Sequence, residues 1–103
     1  MLVTPSNLMP PGTTDETWLD AVNELTAWAR TAGATALVVP LGVDAAAGDP
    51  ESPLRVTATG FRRAGRLLGA LGLPTVLVQE GGYDLESLGQ LVREVLLGVE
   101  EGL

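Results

Sequence analysis

Apolar positions follow two rhythms along the chain, one stepped and one continuous. From Trp18, the residues Val22, Leu25 and Ala29 recur at three- and four-residue steps with Trp28 beside them, which predicts a helix with one apolar face. It opens at "TTDE", where Thr13 as N-cap and Glu16 three residues later make a capping box and Asp15 adds charge favourable to a helix N-terminus. Gly33 supplies its stop. "ATALVVPL", residues 34–41, is apolar without alternation, which predicts a parallel strand covered by helices on each face. Pro40 has no amide hydrogen to donate and is expected at the strand's end or at a bulge. After a polar loop, "GVDAAAGDPESP" (42–53), a second helix begins behind Thr57 or Thr59. Phe61, Ala64, Leu68 and Leu71 lie on one side of it, Arg62, Arg63 and Arg66 largely on another, and Gly72 and Pro74 end it. "TVLVQ" (75–79) is the second strand. Past a Gly-Gly turn, Asp84 caps a third helix striped by Leu88, Leu91, Val92, Val95, Leu96 and Val99.

The predicted order is an extended segment over 1–12 and then helix, strand, helix, strand, helix over 13–103, a single α/β domain with a parallel βαβ core and flanking helices. A βαβ unit closes right-handed, so both strands belong to one parallel sheet. Two strands make a poor sheet, because each edge leaves backbone groups without partners. The expectation is an incomplete fold whose apolar strands invite further neighbours.

Composition narrows the chemistry. At 103 residues, 46% hydrophobic and 18% charged, the chain has the material for one small core. Thirteen acidic residues against six basic ones, all arginine, leave a net charge of −7, which argues against nucleic acid as a partner and favours cationic ligands. Cysteine and histidine are both missing, which removes disulfides, thiolate metal sites and the usual general base at neutral pH. Residues 1–12 have neither a basic start nor a long apolar run, so a soluble, cytoplasmic protein without a membrane partner is expected.

Ligands of open α/β sheets bind beyond the carboxyl ends of the strands. "LGVD" and "EGGY" occupy such ends, placing Asp44 and Tyr83 on one rim, their strands about 5 Å apart if they are direct neighbours. Plainer readings stand beside this. Asp44 suits a turn-capping loop aspartate, Tyr83 a packing residue, Asp49 and Pro50 loop shape, the arginines a solvated helix face and both tryptophans the core. Asp44, Asp49, Glu51 and Glu80 could together hold a hard cation. A phosphate cradle at "EGGY" lacks the expected pattern and any lysine.

From Leu41 to Gly89, "LGVDAAAGDPESPLRVTATGFRRAGRLLGALGLPTVLVQEGGYDLESLG" contains a G-x-D-x-x-x-x-D-P loop, a T-x-x-G-F helix start and an E-G-G-Y turn. In that order and at those separations they resemble the C-terminal part of the histone deacetylase superfamily of zinc amidohydrolases, above all its acetylpolyamine amidohydrolase branch. "NLMPPGTTDETWLDAV" resembles the segment before. The resemblance implies the C-terminal part of an arginase/deacetylase-like fold, acetylated amines such as acetylpolyamine or acetyl-lysine as substrates, and zinc as cofactor. Asp44 matches a carboxylate zinc ligand, Tyr83 the tyrosine that hydrogen-bonds the substrate carbonyl, and Gly81 and Gly82 the turn presenting it. The family's D-x-H ligands and histidine pair have no counterpart here, and Pro40 stands where a small residue is usual. The expectations are a chain that binds zinc weakly and is inert alone, pairing either with a missing N-terminal portion or with itself. The alternative is a nonenzymatic interaction or oligomerisation module on the same fold.

Overall fold

The computed structural model describes residues 12–42, 55–80 and 88–103. Its elements run α1 (Asp15–Thr31), β1 (Leu37–Gly42), α2 (Ala58–Gly69), β2 (Thr75–Glu80) and α3 (Leu88–Gly102). β1 and β2 pair in parallel, from Leu37 opposite Thr75 to Gly42 opposite Glu80. The α/β class and the βαβ core follow the hydrophobic pattern. The N-terminal stretch 1–11 and Asp84 lie outside the described residues.

The start of α1 departs from the capping box. Thr14, with extended backbone, takes the N-cap position without a side-chain cap bond. Thr13 is buried, and its carbonyl accepts the Arg55 amide at 2.8 Å. Glu16 has a stronger partner than the backbone, an ion pair with Arg63 at 2.8 Å, so its carboxylate is drawn away from the cap. At the other end Gly33 adopts φ +74°, and the bonds Ala34 N–H to Ala29 C=O and Gly33 N–H to Arg30 C=O close a Schellman motif.

Pro40 sits inside β1, opposite Val78, rather than at its end. The Leu37 amide donates to Pro74 C=O at 2.8 Å, so by the alternation of a parallel ladder Leu37, Val39 and Leu41 direct their backbone groups toward β2. Val38 and Pro40 direct theirs to the outer edge. A proline costs the β1–β2 ladder nothing there, which is where sheets tolerate it.

Covering by helices on both faces does not occur among the described residues. Leu37, Val39, Leu41, Thr75 and Leu77 point toward the helices, whereas Val38, Pro40, Val76 and Val78 are exposed, Val38 to 72%. The three described helices pack on one side of the sheet, so the second apolar set is bare. The core is Leu41, Val56, Phe61, Leu91 and Val95, with Trp18, Ala58, Leu88 and Val92 packed against it. Trp18 meets Phe61 edge to face, ring centroids 5.1 Å apart.

α2 and α3 lie backbone to backbone. A Cβ at Gly65 would overlap the Val95 carbonyl oxygen, at Gly69 that of Val99, at Gly98 that of Arg62 and at Gly102 that of Arg66. Only hydrogen fits at these four contacts. The arginines expected on a solvated face instead fasten this seam: Arg62 reaches Glu94 at 3.0 Å and Glu101 at 2.8 Å, and Arg66 reaches Glu101 at 2.9 Å. With Arg63 on Glu16, all three are paired, because α1 and α3 present carboxylates to both flanks of α2. The α3 stripe is narrower than its spacing predicts: Leu91 and Val95 are buried, while Leu96 is 48% exposed.

Candidate functional site at the ends of the two strands

Gly42 and Glu80 are register partners at the carboxyl ends of β1 and β2. Neighbouring strands stand about 4.8 Å apart, so the two segments leaving them begin side by side. Asp44 is two residues past Gly42; Gly81, Gly82 and Tyr83 follow Glu80 directly. All four lie outside the described residues, as do Asp49 and Glu51. The strand ends are thus brought together as the pattern predicts.

The framework around those ends is tightly made. Leu41, one residue before the first segment departs, is buried in the core, and Val56, two residues after residue 54, is 1% exposed. Immediately after Val56 the chain is pinned to α1. The Thr57 amide donates to Asp15 Oδ1 at 2.8 Å and the Thr57 hydroxyl to Asp15 Oδ2 at 2.5 Å, while Thr57 Oγ1 accepts the Gly60 amide at 3.2 Å and caps α2. One carboxylate and one hydroxyl therefore join the first turns of α1 and α2. Gly60 leaves room for this clamp, since a Cβ there would stand 2.5 Å from Asp15 Oδ1.

This explains the T-x-x-G-F string in physical terms: Thr57 caps, Gly60 makes space, and Phe61, 1% exposed, anchors the core. The threonine and glycine were legible as a helix start. Asp15 was legible only as a helix-dipole charge, because its partner lies 42 residues away in sequence.

The strongest electrostatic coupling is on the α2–α3 seam, away from the strand ends in the chain. Hydrogen bonds from Arg62 and then Arg66 hold the Glu101 carboxyl down at about 2. Glu101 and then Glu94 push the Arg62 guanidinium further up. Glu16 raises Arg63 by a hydrogen bond and by its charge. Among the described residues no group of three or more Asp, Glu, His or Cys is placed to hold a metal ion.

Comparison with known proteins is consistent with this geometry. The crystal structure of acetylpolyamine aminohydrolase from Burkholderia pseudomallei superposes with a TM-score of 0.86 and 41% identity over 91% of this chain and 28% of that one. The HDA15 HD domain superposes with a TM-score of 0.76 and 30% identity, over 82% of this chain and 25% of that one. The architecture is that of the C-terminal part of the arginase/deacetylase fold. Residues 4–99 match the histone deacetylase domain family, and the chain belongs to it. In sequence it is 46% identical over 80 residues to the acetylpolyamine amidohydrolase of Burkholderia pseudomallei, an alignment that takes in 78% of this chain and 24% of that protein. The chain spans about a quarter of the length of the curated relatives it matches.

Proposed function

We propose that the chain supplies one wall of a deacetylase-type site acting on small acetylated amines, with Asp44 as a carboxylate metal ligand and Tyr83 as the hydrogen-bond donor to the substrate's amide carbonyl. The observation that carries this reading is the register of Gly42 with Glu80, which starts the Asp44 and Tyr83 segments from adjacent strand ends.

Zinc sites take three or four protein ligands, mostly histidine, cysteine or carboxylate. This sequence has no histidine and no cysteine, so its own residues do not fit a zinc site, and the remaining ligands and the proton-transfer bases belong to other polypeptide. What the chain itself would contribute is a phenolic donor, Tyr83. A phenol aimed at the oxygen where negative charge develops is worth on the order of 3 kcal/mol of transition-state stabilisation in comparable sites. Gly81 and Gly82 permit the sharp turn that such a presentation needs. The net charge of −7 suits a cationic amine over an anionic substrate.

The test is a chimera in which this chain replaces the matching C-terminal portion of the Burkholderia pseudomallei enzyme, assayed for hydrolysis of an acetylated polyamine. It is expected to be active, and Tyr83→Phe is expected to lower kcat about 100-fold, the kinetic equivalent of the donor's contribution. The reading fails if Tyr83→Phe retains full activity. The bare Val38, Val76 and Val78 also favour a second reading, a nonenzymatic interaction module on the same fold. Under that reading the chimera is well folded and inactive.

A further inference from the structure

Residues 32–36 alone separate α1 from β1, and 70–74 alone separate α2 from β2, so each helix runs back against the strand that follows it. The first turns of α1 and α2 therefore lie at the same end of the sheet as Gly42 and Glu80. At that end the chain departs from β1 after Gly42 and rejoins the described residues at Arg55; Asp44 belongs to the stretch between. Three hydrogen bonds hold the returning chain to the start of α1: Arg55 N–H to Thr13 C=O at 2.8 Å, Thr57 N–H to Asp15 Oδ1 at 2.8 Å, and the Thr57 hydroxyl to Asp15 Oδ2 at 2.5 Å. Two of the three end on one side chain.

We propose that Asp15 is a positioning residue for the deacetylase-type reaction: its carboxylate fixes Arg55–Thr57 and the first turn of α2 against α1, and so sets the point to which the Asp44-bearing segment returns. The proposal rests on the function proposed above and adds a residue to it. What the clamp grips is backbone. Asp15 accepts the Thr57 amide, and the hydroxyl it accepts from also takes the Gly60 amide at 3.2 Å, so the carboxylate, the returning chain and the α2 N-cap form one unit. Val56, 1% exposed, holds the same stretch from the core side. A Cβ at Gly60 would stand 2.5 Å from Asp15 Oδ1 and 3.0 Å from the Val56 side chain, so the bare glycine is what admits the carboxylate.

The neighbouring tie between the same helices is of another kind. Glu16 and Arg63 meet at 2.8 Å, side chain to side chain, with 78% and 44% of the two side chains exposed. Such a pair gives way without moving the backbone. Closing a chain between two fixed points removes most of its conformations before any ligand is met. A reacting group displaced by about 1 Å loses about 100-fold in rate. Asp44 stands nearer in sequence to Gly42 than to Arg55, so freeing the far end is expected to cost part of that factor.

The experiment places Asp15→Ala, Asp15→Asn, Gly60→Ala and Glu16→Gln in the chimera described above and measures kcat and KM at a temperature where circular dichroism shows each variant folded. Asp15→Ala is expected to lower kcat about tenfold with KM within about twofold of the parent. Asp15→Asn, which keeps an acceptor for the Thr57 amide, recovers most of the loss; Gly60→Ala, which crowds the carboxylate out, repeats it; Glu16→Gln leaves kcat unchanged. In the 103-residue chain, Asp15→Ala is expected to speed hydrogen exchange at the Thr57 amide at least tenfold and to leave the amides of α3 as they were. Full kcat in Asp15→Ala, or an equal loss in Glu16→Gln, overturns the proposal and leaves the clamp a matter of stability alone. If Asp15→Ala does not fold, Gly60→Ala decides. A parent chimera that hydrolyses nothing defeats the catalytic reading by itself; exchange at Thr57 then decides whether Asp15 anchors the returning chain, and an unchanged rate there overturns that as well.

Discussion

The two flanks of α2 are built in opposite ways. Toward α3 the contact is closed: four glycines admit the opposing backbone, and Arg62 and Arg66 converge with Glu94 and Glu101 over the seam. Toward α1 and β1 a space of about 310 Å³ separates apolar surfaces that face each other, and Leu25 is 39% exposed beside it. Sealed interfaces exclude further chain because interiors are close-packed and an added methyl has nowhere to go. An exposed apolar surface of this kind marks a place where a ligand, a partner or another copy can bind. One flank of α2 is thus closed by contacts within the chain, and the other keeps an open apolar space among the described residues.

The comparison can be broken most forcefully at the junction of both flanks. Phe61→Ala removes the ring that Trp18 packs on and that anchors the core, and is expected to cost about 3–5 kcal/mol in denaturant unfolding. Gly98→Val comes next, at about 1–3 kcal/mol or more, because its side chain collides with the Arg62 carbonyl and separates α2 from α3. If Gly98→Val melts like the parent chain, the seam is looser than described. Asp15→Ala unties α1 from α2 and is expected to cost about 1–2 kcal/mol, with Asp15→Asn recovering part of it by keeping an acceptor for the Thr57 amide.

Acid acts on the closed flank through Glu101. Its folded-state pKa is about 2 against an ordinary 4.5, so its contribution to stability is complete above about 4.5 and disappears as pH falls toward 2. Glu101→Gln is expected to flatten the melting temperature across that window; an unchanged slope would remove Glu101 from the account. The smallest effect belongs to the open flank. Val38→Asp in the chain alone is expected to shift stability by no more than about 0.5 kcal/mol, because Val38 is 72% exposed. A large loss there would mean that the bare face is already covered.

Much of this was visible before any coordinates. The stripe of α1, the T-x-x-G-F start of α2, both strands and their parallel pairing follow from spacing, and the motifs at the strand ends carry the family likeness. For the proposed Asp44 and Tyr83 site, the adjacent strand ends Gly42 and Glu80 were legible, and the two residues themselves lie outside the described residues. What was not legible falls into two kinds. The Asp15 clamp and the arginine pairs join residues more than 30 positions apart in sequence, and a single charged residue carries no signal of its partner. Gly65, Gly69, Gly98 and Gly102 look like interruptions of two helices until those helices are placed against each other.

The sequence by itself determined which segments are helices and strands, how they follow one another, and that their strands run parallel, since periodicity and turn residues act locally along the chain. Tertiary structure alone decided that the described helices share one face of the sheet, that glycines bring the α2 and α3 backbones into contact, and that the outer edge of β1 meets no strand among the described residues. Those outcomes depend on which surfaces meet, and residues far apart in sequence carry no local signal of the surface they will face.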